Sequence, residues 1–232
     1  FSAESNYAKR YQYRGKVYFR YENNIESERG YPDYSESTIY NIQWNHSQDP
    51  KLSPNSRFSA TVNMGSSKYF QESVNQVNVG SSLNNTMRSS VSYSKTFQSV
   101  PQVQLSLAAT QSQNTNTGEI NMTLPSMVLN MDGVYPFSPS DGARKGLIKN
   151  INFQYNAIGE YRIKTVDSLF FKPAMFDGAL AGMQQRIPLS TNFKIFQYLS
   201  ASTSANYEEI WALETIKKEY NSETGRDTTM TV

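Results

Sequence analysis

The one histidine of the chain, His46, is the first residue that could carry acid–base chemistry. It lies in the string W-N-H-S-Q-D-P, three residues before Asp49. A hydrolase would need such a histidine to be paired with a carboxylate or a serine. Alternate residues of a strand point to the same face, so a strand here would place His46 with Tyr40, Ile42 and Trp44, on an apolar face. We therefore expect a structural or interfacial histidine and predict no catalytic residue.

Metal and cofactor sites find no support in the sequence either. The chain has no cysteine, which excludes disulfides, thiol nucleophiles and cysteine-based zinc sites. Asp132-Gly133 and Asp141-Gly142 lack the alternating carboxylates of a calcium loop, and the glycines form no phosphate-binding motif. The formal net charge of +2 gives no electrostatic reason to expect a nucleic acid or another acidic partner. We expect no metal and no cofactor.

Uncharged polar residues dominate the composition. Ser, Thr, Asn and Gln make up 81 of the 232 residues, whereas charged residues account for 18% and aromatic residues for 13%. Ordinary soluble domains carry about 25% charged residues, and disordered chains are poor in aromatic residues. Strands with one uncharged polar face and one apolar, aromatic face fit this composition better.

The hydrophobic pattern has a period of two, which is typical of β-strands. Phe58 and Val62, for example, alternate with Ser59 and Asn63. The pattern predicts ten strands, near 2–13, 16–23, 37–48, 57–70, 86–97, 102–113, 119–131, 148–160, 189–198 and 203–218. Most of them reach the roughly 9–11 residues that a membrane-spanning strand needs, whereas a typical soluble strand has about 5–6.

Short and long connections mostly alternate along the chain, with two exceptions, a short one at 114–118 and a long one at 132–147. Short turns are predicted at Arg14-Gly15, at 98–101 and at 199–202, and long connections at 24–36, 71–85 and 161–188, the last as a partly helical loop. This asymmetry is typical of the hairpins of an outer-membrane barrel. We predict an all-β protein, an antiparallel meander that forms part of a closed transmembrane barrel. A soluble β-sandwich is the alternative.

The alternation also assigns the two faces of the predicted barrel wall. The residues predicted to face lipid are Tyr40, Ile42, Trp44, Phe58, Val62, Tyr93, Leu105, Leu107, Phe153 and Tyr155. Those predicted to face the lumen are Arg57, Ser59, Asn63, Arg88, Ser92, Gln104, Asn152 and Gln154. The physical reason is that an amide or hydroxyl placed in hydrocarbon without a new partner costs roughly 2–7 kcal/mol. Whether the lumenal charges line a passage or pair across strands stays open from the sequence.

Several uncommon strings occur in an order that resembles a known family. They are W-N-H-S-Q-D-P-K-L-S-P-N-S-R-F-S-A-T-V-N-M-G-S-S-K-Y-F (44–70), S-V-S-Y-S-K-T-F (90–97), T-Q-S-Q-N-T-N-T-G-E-I-N-M-T-L-P (110–125) and V-Y-P-F (134–137). They resemble the barrel of the lipopolysaccharide-assembly outer-membrane protein LptD, in its Bacteroidetes-type form. I-P-L-S-T-N-F-K-I-F-Q-Y-L (187–199) resembles it more weakly.

The resemblance implies a location, a function and partners. It implies a very large β-barrel in the outer membrane of a Gram-negative bacterium, preceded by a jelly-roll domain, that releases lipopolysaccharide into the outer leaflet through a lateral gate. The implied partners are an LptE-like lipoprotein plug and periplasmic bridge proteins. The family catalyses no bond chemistry. Ten strands are too few for so large a barrel, so we expect residues 1–232 to be an interior piece of one barrel domain. A porin or receptor-type barrel for small solutes is the alternative function, and a ten-strand barrel protease is a further one.

Overall fold

The structure, a computed structural model, describes residues 1–69, 86–138, 147–196, 198–214, 216–221 and 226–231. The predicted loop at 71–85 and the pair Asp141-Gly142 lie outside these residues. The described strands are β1 (Ser2–Lys9), β2 (Tyr13–Glu26), β3 (Ser35–Gln48), β4 (Ser56–Gly65), β5 (Thr86–Phe97), β6 (Val103–Asn114), β7 (Glu119–Val134), β8 (Asn152–Val166), β9 (Leu180–Ile195), β10 (Leu199–Ala212), β11 (Ile216–Asn221) and β12 (Arg226–Thr231). Short 3-10 helices span Ile148–Asn150, Asp167–Leu169 and Pro173–Phe176.

Strands β1 to β10 form one sheet in which the spatial order equals the chain order. Neighbouring strands pair antiparallel, with Tyr13 opposite Gln48 and Glu26 opposite Ser35 in the β2–β3 pair. β11 and β12 form a separate antiparallel hairpin. The predicted all-β antiparallel meander is confirmed. Its strands correspond to the segments that alternate with a period of two, because an extended backbone places the polar and the apolar side chains of such a segment on opposite faces.

The first hairpin differs from the prediction. The sequence placed its turn at Arg14-Gly15, but β1 ends at Lys9 and β2 begins at Tyr13. Gly15 lies inside β2, directly opposite Tyr7, and a Cβ atom on Gly15 would overlap the Tyr7 ring. The predicted turn was wrong because a glycine in a strand can mark the close approach of a side chain as well as a change of direction.

The connection between β8 and β9 is shorter than the predicted loop over 161–188. β8 continues to Val166 and β9 begins at Leu180, so the connection comprises residues 167–179. Strand alternation persists through the end of β8, where Ile163 is buried while its neighbours Arg162 and Lys164 are exposed. Two of the 3-10 helices lie in this connection.

The chain divides into two compact units. The first comprises Phe1–Lys95, Ser106–Pro125 and Arg162–Ala179, and the second comprises Thr96–Leu105, Ser126–Tyr161 and Leu180–Val232. In the first unit, the largest fully buried apolar side chains are those of Ile39, Met87, Ile120 and Ile163. Ile39 and Met87 pack with Tyr69. In the second unit, Ala157 is buried within β8.

Candidate functional site

Aromatic rings gather on β1 to β4, close to the short turns of the first unit. We call Tyr7, Tyr13, Trp44, His46 and Phe58 the aromatic cluster. The Trp44 indole N–H donates to the Tyr7 hydroxyl at 2.7 Å, and this hydroxyl lies 2.9 Å from His46 Nδ1. The ring centroids of Tyr13 and Phe58 lie 5.8 and 5.2 Å from that of His46. Apolar rings with hydrogen-bonded polar tips are the usual composition of a membrane–water interface.

The strand register brings part of the predicted lipid-facing set together. It pairs Ile42 with Met64, Trp44 with Val62, and Phe58 with Tyr93. Directly opposed residues project to the same face of a sheet, so β3, β4 and β5 share one apolar face. Tyr40, two residues before Ile42 on β3, has the same parity and is half-buried. That this face meets lipid remains a prediction.

A polar groove of about 670 Å³ lies in the first unit, along β4 to β8. Its exposed lining residues are Thr61, Arg88, Ser90, Thr110, Ser112, Asn121, Arg162 and Lys164. Buried residues alternate with them along the same strands, namely Ser89, Gln111, Met122 and Ile163. Because alternate residues of a strand point to opposite faces, the groove opens on the face to which the sequence assigns Arg88.

The groove is basic. Arg88, Arg162 and Lys164 contribute three cations, and none of its described lining residues is a carboxylate. Within the part of the chain that the structure describes, Arg88 and Lys164 form no ion pair. Guanidinium and ammonium groups in such a setting are suited to phosphate or carboxylate ligands. The groove can therefore hold an anionic, hydroxyl-rich molecule.

Other charges on the strands pair with each other. Lys16 Nζ lies 2.8 Å from Glu4 Oε1, and Arg186 contacts Glu208 at 3.0 Å across β9 and β10. Some strand charges therefore pair across strands, whereas others line the groove. Exposed pairs of this kind contribute only about 0–1 kcal/mol each to stability.

Uncharged ladders occupy the rest of this polar face in the first unit. Ser59 and Ser92 share a hydrogen bond of 2.8 Å between their hydroxyls. Asn41 Nδ2 donates to Asn63 Oδ1 at 3.0 Å, and Gln43 Nε2 donates to Asn41 Oδ1 at 2.9 Å. Arg57 is exposed on the same face, where its strand partner is Ser94. Cross-strand hydrogen bonds between small polar residues stabilise a sheet modestly, by about 0.2–1 kcal/mol each.

The remaining predicted residues lie on β6 and β8 and alternate in exposure. Gln104 and Gln154 are exposed, whereas Leu105, Leu107, Phe153, Tyr155 and Asn152 are half-buried. The Tyr155 hydroxyl donates to Gln185 Oε1 at 2.8 Å. The side-chain oxygen of Asn152 is buried without a hydrogen-bond partner among the described residues.

The whole sequence matches one protein family. The family is described as LptD protein, and its sequence model covers residues 1–232. The chain belongs to the LptD family. No curated protein and no solved structure matches it. Membership makes this LptD chain a component of lipopolysaccharide transport in the Gram-negative outer membrane, with lipopolysaccharide and the transport machinery as its general partners.

The one histidine of this LptD chain is bound to a tyrosine. His46 Nδ1 contacts the Tyr7 hydroxyl, and the rings of Tyr7 and Tyr13 stack on the imidazole. Within the described ranges, no three His, Asp or Glu side chains converge on a common metal position. The LptD family is one of transport and assembly.

No helix in the described part of the chain has the length and hydropathy needed to cross a membrane.

Sequence reasoning missed a set of hydrogen bonds that joins three connections of the LptD chain. Gln113 Nε2 donates to Gly65 O at 2.9 Å and to Ser67 Oγ at 3.0 Å. The Ser67 N–H donates to Asp167 Oδ2 at 3.1 Å, and the Asp167 N–H donates to Gly118 O at 2.8 Å. We call these residues the loop clasp. Because Ser67 and Asp167 are 100 positions apart, no local pattern could have revealed the contact.

Proposed function

We propose that this chain is a wall segment of an LptD barrel that delivers lipopolysaccharide to the outer leaflet. Its apolar face contacts membrane lipid, and its polar face lines the lumen. The observation that carries the proposal is the basic groove around Arg88 and Lys164, on the face opposite the apolar residues of β3 to β5. A two-faced wall of this kind can accommodate both halves of an amphiphilic glycolipid.

The strand lengths support a membrane-spanning wall. β2 and β3 have 14 residues each and are paired along their full length. At about 3.3 Å per residue such a strand is roughly 45 Å long. Tilted by about 45°, it covers the hydrocarbon core of about 30 Å. A closed barrel also satisfies the backbone of every strand, which hydrocarbon requires.

The groove chemistry supports a saccharide passage. Lipopolysaccharide carries phosphate groups on a sugar backbone, and the groove combines cations with hydroxyl and amide side chains. Contacts between exposed charges are weak, at about 0–1 kcal/mol, so a phosphate can bind there and leave again. Conduction through any pore needs binding sites of this moderate strength.

The proposed partners follow from the same assignment. An LptE-like lipoprotein plugs the lumen, and periplasmic bridge proteins supply lipopolysaccharide from below. The exposed hydrogen bond between Ser59 and Ser92 lies on an uncharged, polar surface that a polar plug or a hydrated saccharide can contact. Family membership supports these partners in general.

Complementation with charge-reversal variants tests the proposal. Cells depleted of the native protein would express the full-length Arg88→Glu/Lys164→Glu variant, and surface lipopolysaccharide and solute uptake would be measured. We expect surface lipopolysaccharide to fall several-fold, because two carboxylates would repel phosphate in the groove. The matched control is Lys172→Glu/Lys194→Glu, which makes the same charge change at exposed residues outside the groove.

Two results would separate the alternatives. Lipopolysaccharide at the normal level together with impaired uptake of small anions would favour a porin or receptor-type barrel. An equal loss of lipopolysaccharide in the control would contradict a role for the groove. Heat-dependent gel mobility of each variant would establish that the barrel has folded.

A further inference from the structure

The short-turn end of the first unit carries three exposed cations, Lys9, Arg10 and Lys51, beside one carboxylate, Asp49. Within the described residues none of the three cations forms an ion pair. We call these three cations the turn cluster. Arg14 is not part of it, because Arg14 pairs with Ser47, which in turn pairs with the polar-face residue Ser59. The net positive charge at this end attracts anions.

The turn cluster is held in a fixed arrangement. Arg10 Nη2 donates to the Tyr11 hydroxyl at 2.6 Å, and Arg10 Cζ lies 4.6 Å from the Tyr11 ring centroid. Lys51 Nζ lies 4.9 Å from the same ring. The backbones of the two turns are joined by Asp49 N–H donating to Gln12 O at 2.8 Å. Residues of both turns line a pocket of about 360 Å³, with Lys9, Arg10 and Asp49 among them.

The charge is local to this end. The overall formal charge is only +2, and the opposite end of β2 and β3 is acidic. There Glu26, Glu28, Asp33 and Glu36 are exposed around a single arginine, Arg29. The strands therefore connect a basic end to an acidic end, and the basic end is the one that would attract an anionic surface.

The position of the aromatic cluster fixes the depth of the turn cluster. Tyr7 and Tyr13 lie on the two sides of the first turn, and His46 lies two residues before the end of β3, which precedes the second turn. In a membrane barrel such rings mark the boundary of the hydrocarbon region. Cations a few residues further along then reach the level of the lipid phosphates, and long basic side chains extend their charge to that level. Exposed Tyr11 and Leu52, at 51% and 45% of full exposure, supply apolar surface beside the charges.

We propose that the turn cluster binds the phosphate groups of anionic phospholipids in the leaflet that the short-turn end meets. The proposal rests on the membrane-spanning function proposed above. Diester phosphates fit the guanidinium group of Arg10 and the ammonium groups of Lys9 and Lys51. The bound lipids anchor this end of the barrel wall at a defined depth and oppose its vertical displacement.

Lipid retention by the full-length protein tests the inference. The protein, purified in mixed micelles of a zwitterionic detergent, would be titrated with phosphatidylglycerol or with phosphatidylcholine, and retained lipid would be counted by native mass spectrometry. We expect the wild type to prefer phosphatidylglycerol. The variant Arg10→Gln/Lys51→Gln should bind it about 25-fold more weakly, since each of the two basic residues near an anionic surface contributes roughly a fivefold factor. The charge-retaining variant Arg10→Lys/Lys51→Arg should bind it nearly as the wild type does.

The matched control is Arg29→Gln/Lys172→Gln, which removes two exposed cations from the other end of the unit. Its affinity for phosphatidylglycerol should be unchanged. Equal retention of the two lipids by the wild type, or equal losses of affinity in variant and control, would overturn the inference. Either result is expected if the turn cluster binds an acidic protein surface instead of lipid. The proposed function fails by a different result, namely a wild-type protein that does not insert into bilayers or groove variants with normal surface lipopolysaccharide.

Discussion

Replacing Tyr7 by phenylalanine tests whether the hydrogen bonds of the aromatic cluster stabilise the barrel wall. The Tyr7 hydroxyl accepts from the Trp44 indole N–H at 2.7 Å and contacts His46 Nδ1 at 2.9 Å. Phenylalanine would keep the ring over Gly15 and the ring contacts with Tyr13 and His46. The substitution therefore removes two hydrogen bonds and little else.

The magnitude follows from the number of hydrogen bonds and their burial. An intramolecular hydrogen bond contributes about 0.5–1.5 kcal/mol net, so the loss of two gives about 1–3 kcal/mol. Tyr7, Trp44 and His46 are half-buried, and water can reach part of the freed indole and imidazole groups. We therefore expect the free energy of unfolding to fall by about 1–2 kcal/mol.

The assay is equilibrium unfolding of the full-length protein in lipid vesicles, followed by tryptophan fluorescence and gel mobility. Tyr13→Phe is the matched control, because the Tyr13 ring stacks on His46 at 5.8 Å while its hydroxyl has no hydrogen-bond partner among the described residues. We expect the control to change stability by less than about 0.5 kcal/mol.

A double-mutant cycle adds a second readout. Tyr7→Phe combined with Trp44→Phe should show a coupling of about 0.5–1.5 kcal/mol, since the two residues share one hydrogen bond. Equal losses of unfolding free energy for the Tyr7 and Tyr13 variants, or a coupling energy near zero, would refute the reasoning. The aromatic cluster would then stabilise the protein through ring packing alone.

Three further predictions address the faces, the first hairpin and the loop clasp. Leu105→Arg should destabilise the protein in lipid by about 2–4 kcal/mol if the residue lies near the midplane, whereas Gln104→Arg should be mild; equal penalties in folding titrations would contradict the assignment of faces. Gly15→Val should cost about 1–3 kcal/mol by overpacking, because a tyrosine ring occupies the position of the new side chain, while Gly159→Ala, with no atom closer than 3.7 Å to its new methyl group, should be tolerated in the same titration. Asp167→Ala removes the acceptor of a loop amide and should make residues 167–179 more sensitive to limited proteolysis, whereas Asp167→Asn retains an acceptor oxygen; identical cleavage rates for the two variants would argue against the loop clasp.

The sequence alone determined the fold class and much of the sheet order. Side-chain alternation is a local property of an extended backbone, so Phe58 and Val62 could be separated from Ser59 and Asn63 without any tertiary information. Strand length and the alternation of short and long connections are also local, and they predicted a meander. The family strings added the resemblance to LptD, and a comparison over the whole chain then confirmed membership of that family.

Only the tertiary structure decided the contacts between distant residues. The position of the first turn depends on the Tyr7 ring lying over Gly15, which is a cross-strand contact. The hydrogen bond from Trp44 to Tyr7 spans 37 positions, and the one from Ser67 to Asp167 spans 100. Such contacts depend on strand register, and a shift of one residue would send every side chain to the other face.

The basic groove shows the same division. The sequence assigned Arg88 to the polar face, but it could not place Arg88 near Lys164, which lies on β8. These two cations share a groove because β5 to β8 are consecutive neighbours in the sheet and because both are exposed between buried neighbours. The face that a side chain occupies is encoded locally along its strand. The residues that it meets across the sheet depend on the strand pairing of the whole chain.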